Sequence, residues 1–160
     1  MKTIYLIRHA KSDWNNPELK DIERHLNERG YAAANYMSQK FGKTPDLIIS
    51  SHAIRAISTA LTFARNLNYP ANAIVIKEEL YEASVTDYLS VINSINNSFQ
   101  SVLLFAHNPT ISEVTQTLTQ ALPMEMPTCA IAGITFDTND WQKVKTGELI
   151  LFDYPKKDEV

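Results

Sequence analysis

Short apolar runs alternate along the chain with segments in which apolar residues recur at helical spacing. Continuous apolar runs of about four to eight residues are typical of strands buried on both faces. Four such runs predict strands over residues 3–7, 46–50, 101–106 and 130–137. Two weaker runs predict a short strand over residues 73–76 and a last edge strand over residues 149–152.

The segments between these runs predict four helices, over residues 28–41, 53–66, 87–95 and 110–121. Asn27 is a suitable N-cap for the first helix, and Gly42 is placed to close it. Thr86 is the predicted start of the third helix. Thr110 and Glu113 match a capping box at the start of the fourth. The alternation of strands and helices predicts an α/β fold with a mostly parallel sheet covered on both faces.

Length and composition narrow the class of protein. A chain of 160 residues suits a single domain spanning residues 1–160, and 44% hydrophobic with 21% charged residues is ordinary for a globular protein. The net charge of −3 gives no indication of a nucleic-acid partner. A local cluster of Arg and His could still bind an anion inside a cleft.

The distribution of cysteine and apolar residues favours a cytoplasmic location. Cys129 is the single cysteine, which excludes an internal disulfide and fits a reducing compartment. The first apolar run ends at Arg8 and is too short for the core of a signal peptide. No apolar stretch is long enough to span a membrane, so we expect no membrane partner.

Charged and titratable side chains follow three of the predicted strands. Arg8 and His9 follow the first, His52 and Arg55 follow the second in "DLIISSHAIRA", and His107 ends "SVLLFAHNP". In open α/β sheets, ligands bind beyond the carboxyl ends of the strands. We therefore expect these side chains to meet at one edge of the sheet.

Such a cluster suits a phosphoryl group. Guanidinium groups match phosphoryl oxygens through paired hydrogen bonds, and a neutral imidazole can attack phosphorus. The remaining donors would stabilise charge in the transition state, so that no metal is required. Glu82 lies in the connection that follows the short third strand. A metal site between His9 and His107 is disfavoured, because no Asp or Cys companion has ligand-like spacing.

The stretch "LIRHAKSDWN" resembles the signature of the histidine phosphatase superfamily, which includes phosphoglycerate mutases. Within that superfamily the chain most resembles the small SixA-type phosphohistidine phosphatases. The similarity extends through "DIERHLNERG", "SSHAIRAISTA", "LYEAS", "LLFAHNPTIS", "MPTCAIAGITFD" and "GELILFDYPK". The order and spacing of these motifs are more specific than the Arg-His pair alone.

The resemblance implies a phosphoglycerate mutase-like, three-layer α/β/α sandwich and a covalent phosphohistidine intermediate, with no metal and no cofactor. By matching motif, His9 is the nucleophile, while three residues bind the phosphoryl group: Arg8, Arg55 and His107. Glu82 falls where many members carry the proton donor, although SixA-type enzymes often lack a clear one. Asn15 matches a position that contacts phosphate in the mutase-like members.

Several positions depart from the usual pattern of the superfamily. Ala10 replaces a Gly after the nucleophile, Ser58 replaces a Gln, and His25 and His52 both stand where Pro is common. We expect these two histidines to be structural or rim residues, with His52 close enough to the mouth of the site to touch a substrate. None of the departures falls on the four central residues.

The sequence predicts a phosphatase that acts on phosphohistidine in a protein. The chain has no large insertion that could form a lid, and an open site suits a macromolecular phosphoryl donor. Two alternatives stay open: a phosphatase of small phosphate esters or nucleotides, and a non-catalytic module that binds phosphate or a phosphoprotein. We expect a monomer or a weak dimer.

Overall fold

A computed structural model describes residues 1–155, which build one six-stranded sheet flanked by four α-helices. The strand order across the sheet is β3-β2-β4-β1-β5-β6. The strands are β1 (Lys2–Arg8), β2 (Leu47–Ser50), β3 (Val75–Ile76), β4 (Ser101–Ala106), β5 (Ile131–Phe136) and β6 (Glu148–Asp153). All six predicted strands are present, and the α/β fold class is confirmed. The final residue of the "GELILFDYPK" motif lies outside the described residues.

The sheet is parallel over its first four strands and antiparallel over the rest. The strands β1, β2, β3 and β4 pair in parallel, whereas β5 pairs antiparallel with β1 and with β6. The adjacent strands β2, β4 and β1 therefore end at the same edge. This edge is the one at which the sequence places its charged and titratable residues.

The helices are α1 (Glu28–Phe41), α2 (Ile54–Asn66), α3 (Val85–Asn93) and α4 (Thr110–Thr119). The limits predicted for α1 are confirmed: the Asn27 side chain accepts the Gly30 amide at 2.8 Å, and Gly42 closes the helix at φ 67°. A positive φ is available to glycine without a Cβ clash, which makes it a common helix terminator.

The predicted capping signals of the two later helices are wrong. Helix α3 begins earlier than Thr86, because Ser84 and Asp87 form a reciprocal capping box. Helix α4 has Pro109 at its N-cap, and the Thr110 hydroxyl instead donates to the Ala83 carbonyl at 2.8 Å. This tertiary hydrogen bond removes the hydroxyl from capping and joins the start of α4 to the loop before α3.

The sheet is covered on both faces by separate apolar clusters. Along β1, Ile4 and Leu6 enter the cluster that includes α3 and α4, whereas Tyr5 and Ile7 enter the cluster that includes α1 and α2. This alternation follows the two-residue period of a strand. The buried layers hold the sheet rigid beneath its carboxyl edge. No helix within residues 1–155 is long and apolar enough to cross a membrane.

Candidate active site

His9 lies immediately beyond β1, where the chain leaves the sheet. Its backbone amide donates to the Ala106 carbonyl at 3.1 Å, and the next amide, of Ala10, donates to the Thr59 hydroxyl at 3.0 Å. The His9 ring is 7% exposed, and its Nδ1 lies 2.7 Å from the Ala10 carbonyl oxygen. A carbonyl only accepts, so the proton lies on Nδ1 and the lone pair stays on Nε2.

The surroundings keep the His9 imidazole neutral. Burial lowers the pKa of His9 to about 4, and the positive charges of Arg55 and Arg8 act in the same direction. The hydrogen bond to Ala10 and the charge of Asp21 oppose this shift without reversing it. At neutral pH the ring is therefore uncharged, which is the form that can act as a nucleophile.

His107 follows β4 and faces His9, with ring centroids 5.2 Å apart and planes inclined by 50°. Burial lowers the pKa of His107 to about 3, and the charges of Arg55 and Arg8 add to the effect, as that of a protonated His9 would, while the charge of Asp21 opposes it. Its Nε2 lies 2.6 Å from the Ser51 hydroxyl, whose oxygen also accepts the Ala53 amide. The hydroxyl can thus donate to Nε2, which leaves the proton of a neutral ring on Nδ1.

Arg55 lies in the first turn of α2 and is 8% exposed. Its Nη1 donates to the backbone carbonyl of Asp21 at 2.7 Å, and its Nη2 donates to Asp21 Oδ2 at 3.0 Å. A guanidinium group has five N–H donors in a fixed fork. Three donors of Arg55 are therefore left for other partners after Asp21 is bound.

Arg8, the last residue of β1, completes the cluster. Its Nη1 donates to the Met126 carbonyl at 2.9 Å. Burial lowers the pKa of Arg8, and the charge of Arg55 adds to this effect while Glu125 opposes it. Within the described residues, the buried Nε of Arg8 and the buried Nδ1 of His107 have no hydrogen-bond partner. Such unpaired atoms are rare in proteins; the Nε and Nη1 of Arg24 and the Nδ1 of His52 likewise lack a hydrogen-bond partner among these residues, but only Arg8 and His107 lie beside His9, where the two free groups are available to a ligand.

A pocket of about 370 Å³ opens beside this cluster. Its walls include Arg55, His107, Tyr81 and Glu82, and the start of α4 at Thr110 closes one side. Glu82 adopts a positive φ of 49°, which is uncommon for a residue with a side chain. Glu82 thus lies in the pocket wall, as the sequence predicted for a residue near the site.

The other candidates lie farther out. Asn15 is exposed, its amide donates to Asp13 Oδ1, and it lines a different depression together with His25. Its phosphate contact stays a prediction. His52 packs edge-on against Tyr81, a residue of the pocket wall, with ring centroids 5.5 Å apart, and its contact with a substrate stays a prediction.

Sequence reasoning missed three residues of the site: Ser51, Asp21 and Tyr81. Ser51 directly follows β2, so the rule that ligands bind beyond strand ends could have identified it. Asp21 and Tyr81 lie in loops far apart in the chain, and their side chains meet only in the fold. Within residues 1–155, no group of three or more His, Cys, Asp or Glu side chains is arranged to hold a metal ion.

Solved structures of similar fold include two named SixA. A candidate phosphohistidine phosphatase SixA from Agrobacterium tumefaciens is 33% identical, with a TM-score of 0.81 over 96% of this chain and 98% of that one. A protein histidine phosphatase SixA complexed with tungstate is 20% identical, with a TM-score of 0.83 over 97% of this chain and 98% of that one. At that identity the second match shows the fold alone.

The sequence comparisons agree with the fold. A candidate phosphoserine phosphatase 2 from Hydrogenobacter thermophilus is 34% identical over 91 residues, which are 55% of this chain. The match spans 43% of that relative's own length. The profile of the histidine phosphatase superfamily (branch 1) matches residues 4–90, a stretch that contains Arg8, His9, Arg55 and Glu82. The chain belongs to the histidine phosphatase superfamily, and its fold is that of the SixA proteins.

Proposed function

We propose that this protein hydrolyses phosphohistidine in a protein substrate through a covalent phospho-His9 intermediate, without a metal ion. One observation carries the proposal. A neutral His9 presents a free Nε2 lone pair beside Arg8, Arg55 and His107. The two guanidinium groups supply the positive charge that phosphoryl transfer requires.

The reaction has two steps. In the first, the Nε2 lone pair of His9 attacks phosphorus, and the phosphorus–nitrogen bond of the substrate breaks. The phosphoryl oxygens are held by Arg8, Arg55 and the Nδ1–H of His107. The leaving imidazole takes up a proton from Glu82 or from water. In the second step, water attacks phosphorus and gives a proton to the Glu82 carboxylate or to solvent, the bond to Nε2 breaks, and inorganic phosphate is released.

The role of Glu82 depends on the leaving group. An imidazole leaving group is easily protonated, whereas an alkoxide leaving group needs an acid at its oxygen. The Glu82→Gln variant should therefore slow hydrolysis of a serine phosphate by about 10²-fold and that of phosphohistidine by less than about threefold. If the rates of hydrolysis of both substrates fell equally, Glu82 would not be the proton donor.

The choice of a protein substrate is supported by the 33% identity to the candidate SixA protein across nearly the whole chain. A phosphatase of small phosphate esters is the second candidate, because the candidate phosphoserine phosphatase 2 is 34% identical over 91 residues. Comparing kcat/KM for a histidine-phosphorylated protein with that for phosphoserine and a nucleoside monophosphate decides between them. Faster turnover of the esters would rule out a phosphorylated protein as the preferred substrate, but it would be compatible with the covalent phospho-His9 mechanism.

The covalent step has a direct test. Rapid quenching with a phosphorus-labelled substrate should trap label that is stable in base and labile in acid, as phosphohistidine is. Mass spectrometry should locate the label on His9, and the His9→Ala variant should trap none. A non-catalytic phosphate-binding module would show no turnover in the parent protein. We further propose a single domain over residues 1–160, a cytoplasmic location and a monomer or weak dimer.

A further inference from the structure

Asp21 is bound to one of the phosphoryl-binding residues of the proposed site. It lies in a short 3-10 turn of the long loop between β1 and α1. Its backbone carbonyl and its Oδ2 accept the two terminal nitrogens of Arg55. The Asp21 side chain is 45% exposed, whereas that of Arg55 is 10% exposed. A carboxylate at the pocket wall thus binds a buried guanidinium group.

The same carboxylate oxygen has a second donor. The Tyr81 hydroxyl donates to Asp21 Oδ2 at 2.5 Å, so Arg55 and Tyr81 share one acceptor. The Tyr81 ring is fixed edge-on between the rings of His52 and His107, each with a centroid distance of 5.5 Å. Tyr81 therefore presents its hydroxyl to Asp21 from a fixed position.

The charge state of the pair is defined. Burial alone would raise the pKa of Asp21, but hydrogen bonds from Tyr81 and Arg55 and the nearby charge of Arg55 lower it overall. Burial and the hydrogen bond to Asp21 raise the pKa of Tyr81 to about 12. At neutral pH a phenol therefore donates to a carboxylate anion.

We propose that Asp21 is a resident counter-ion of Arg55, competing with the phosphoryl group for its positive charge, and that Tyr81 weakens this competition by binding the same carboxylate oxygen. The inference rests on the proposed function only in taking Arg55 as a phosphoryl ligand. Asp21 and Tyr81 are positioning residues, because both act through Arg55. Their effect is to limit how tightly the site binds product phosphate.

The two residues should act in opposite directions. Removing the charge of Asp21 leaves Arg55 less neutralised, so a dianion should bind more tightly. Without the Tyr81 hydroxyl, the Asp21 carboxylate interacts more strongly with Arg55. The positive charge of Arg55 is then more fully neutralised, so a dianion should bind more weakly. Because the carboxylate is half exposed, solvent screens both effects and keeps them modest. A merely structural role would weaken binding in both variants.

The test is titration calorimetry of the full chain with tungstate and with inorganic phosphate, neither of which requires turnover. We expect Asp21→Asn to lower both dissociation constants by about three- to tenfold, and Tyr81→Phe to raise them by about twofold to threefold. In the double variant, the Tyr81 effect should vanish, because the charge through which it acts is gone.

Glu23→Gln is the matched control. Glu23 lies in the same 3-10 turn, and its substitution changes the charge by the same amount, but its side chain accepts the Lys20 amide rather than Arg55. The dissociation constants should not change in this variant. An equal tightening in Glu23→Gln, or unchanged or weaker binding in Asp21→Asn, overturns the proposal. A parent chain that binds tungstate as expected but leaves phosphohistidine intact would reject the proposed function and keep this inference.

Discussion

The two ends of β1 each carry a cation, but Lys2 is fully buried and Arg8 is half-buried, and their environments differ. Lys2 is fully buried, and its Nζ donates to the carbonyls of Asn97 and Phe99 and to Oε1 of Gln100, at 2.7, 3.0 and 3.2 Å. These three acceptors use all three donors of an ammonium group. At the other end, Arg8 donates from Nη1, while its buried Nε has no partner within the described residues.

From this difference we infer that Lys2 is a structural cation and that Arg8 is one that binds a ligand. A buried charge with every donor satisfied has no capacity for a further partner, so its removal should affect stability. A half-buried guanidinium group with an unpaired buried N–H, beside a second guanidinium group, still has a donor for an anionic partner. We therefore propose that the carboxyl end of β1 takes part in the reaction and that its amino end stabilises the fold.

The largest expected effect is that of removing His9, the proposed nucleophile. His9→Ala should lower kcat for phosphohistidine by about 10⁴-fold or more, since no covalent intermediate can form. Tungstate should still bind, because Arg8, Arg55 and His107 are unchanged. Steady-state kinetics and calorimetry measure the two quantities. A variant that retains a tenth of the parent activity would show that another group attacks phosphorus.

The Arg8→Ala variant tests the carboxyl end of the comparison. We expect kcat/KM to fall by about 10²- to 10³-fold, as it does when one transition-state donor is removed from an active site. Unfolding by urea should show little loss of stability, because the guanidinium group makes one hydrogen bond, to Met126. A large loss of stability with a small loss of activity would mean that Arg8 is a structural residue and does not bind the phosphoryl group.

The histidines of the site predict how stability depends on pH. The pKa of His9 is lowered to about 4 and that of His107 to about 3, both below the ordinary value of 6.5. Below pH 6.5 these two histidines are protonated in the unfolded chain but stay neutral in the folded chain. Stability is therefore lost as the pH falls from 6.5 towards the two lowered pKa values. The loss is on the order of 3 kcal/mol for His9 and larger for His107, whose pKa is lowered further.

Urea denaturation at several pH values measures this loss. His107→Gln should reduce the acid-dependent part of the curve. His25→Gln is the control, because His25 is exposed and lies outside the pocket. A curve that stays flat between pH 6.5 and pH 4 would contradict a neutral buried pair.

The amino end of β1 is tested by Lys2→Met, which keeps a chain of similar length and removes the ammonium group. The carbonyls of Asn97 and Phe99 lose a donor, so stability should fall by about 2 kcal/mol. Thermal and urea denaturation measure this fall. The value of kcat/KM should not change, since Lys2 lies at the opposite end of the strand. A selective loss of activity in folded protein would mean that the two ends are coupled.

The sequence predicted what depends on local patterns. The strand β4 and the helix α1 were found at their observed limits, because a continuous apolar run and a pair of capping residues are local signals. The convergence of His9, Arg55 and His107 was predictable because strand ends determine it. The individual roles of these residues were predicted by resemblance, and the experiments above test them.

What could not be predicted depends on tertiary contacts. The sequence placed the start of α3 at Thr86, whereas the observed reciprocal bond between Ser84 and Asp87 begins the helix earlier. The hydroxyl of Thr110 was expected to cap α4, but the neighbouring loop supplies a carbonyl for it. The meeting of Asp21 with Tyr81 joins loops 60 positions apart, and no local pattern encodes such a distance.

The smallest expected effect concerns Ser51, whose hydroxyl lies within hydrogen-bond distance of His107 Nε2. If its hydroxyl donates to Nε2, it keeps the proton of His107 on Nδ1, where it can bind a phosphoryl oxygen. Ser51→Ala should lower kcat by about fivefold, the equivalent of one hydrogen bond. Ser50→Ala is the matched control, because the hydroxyl of that neighbouring buried serine donates to the Ser51 carbonyl instead. Equal losses in the two variants would assign the effect to packing beneath the site rather than to the orientation of the His107 proton.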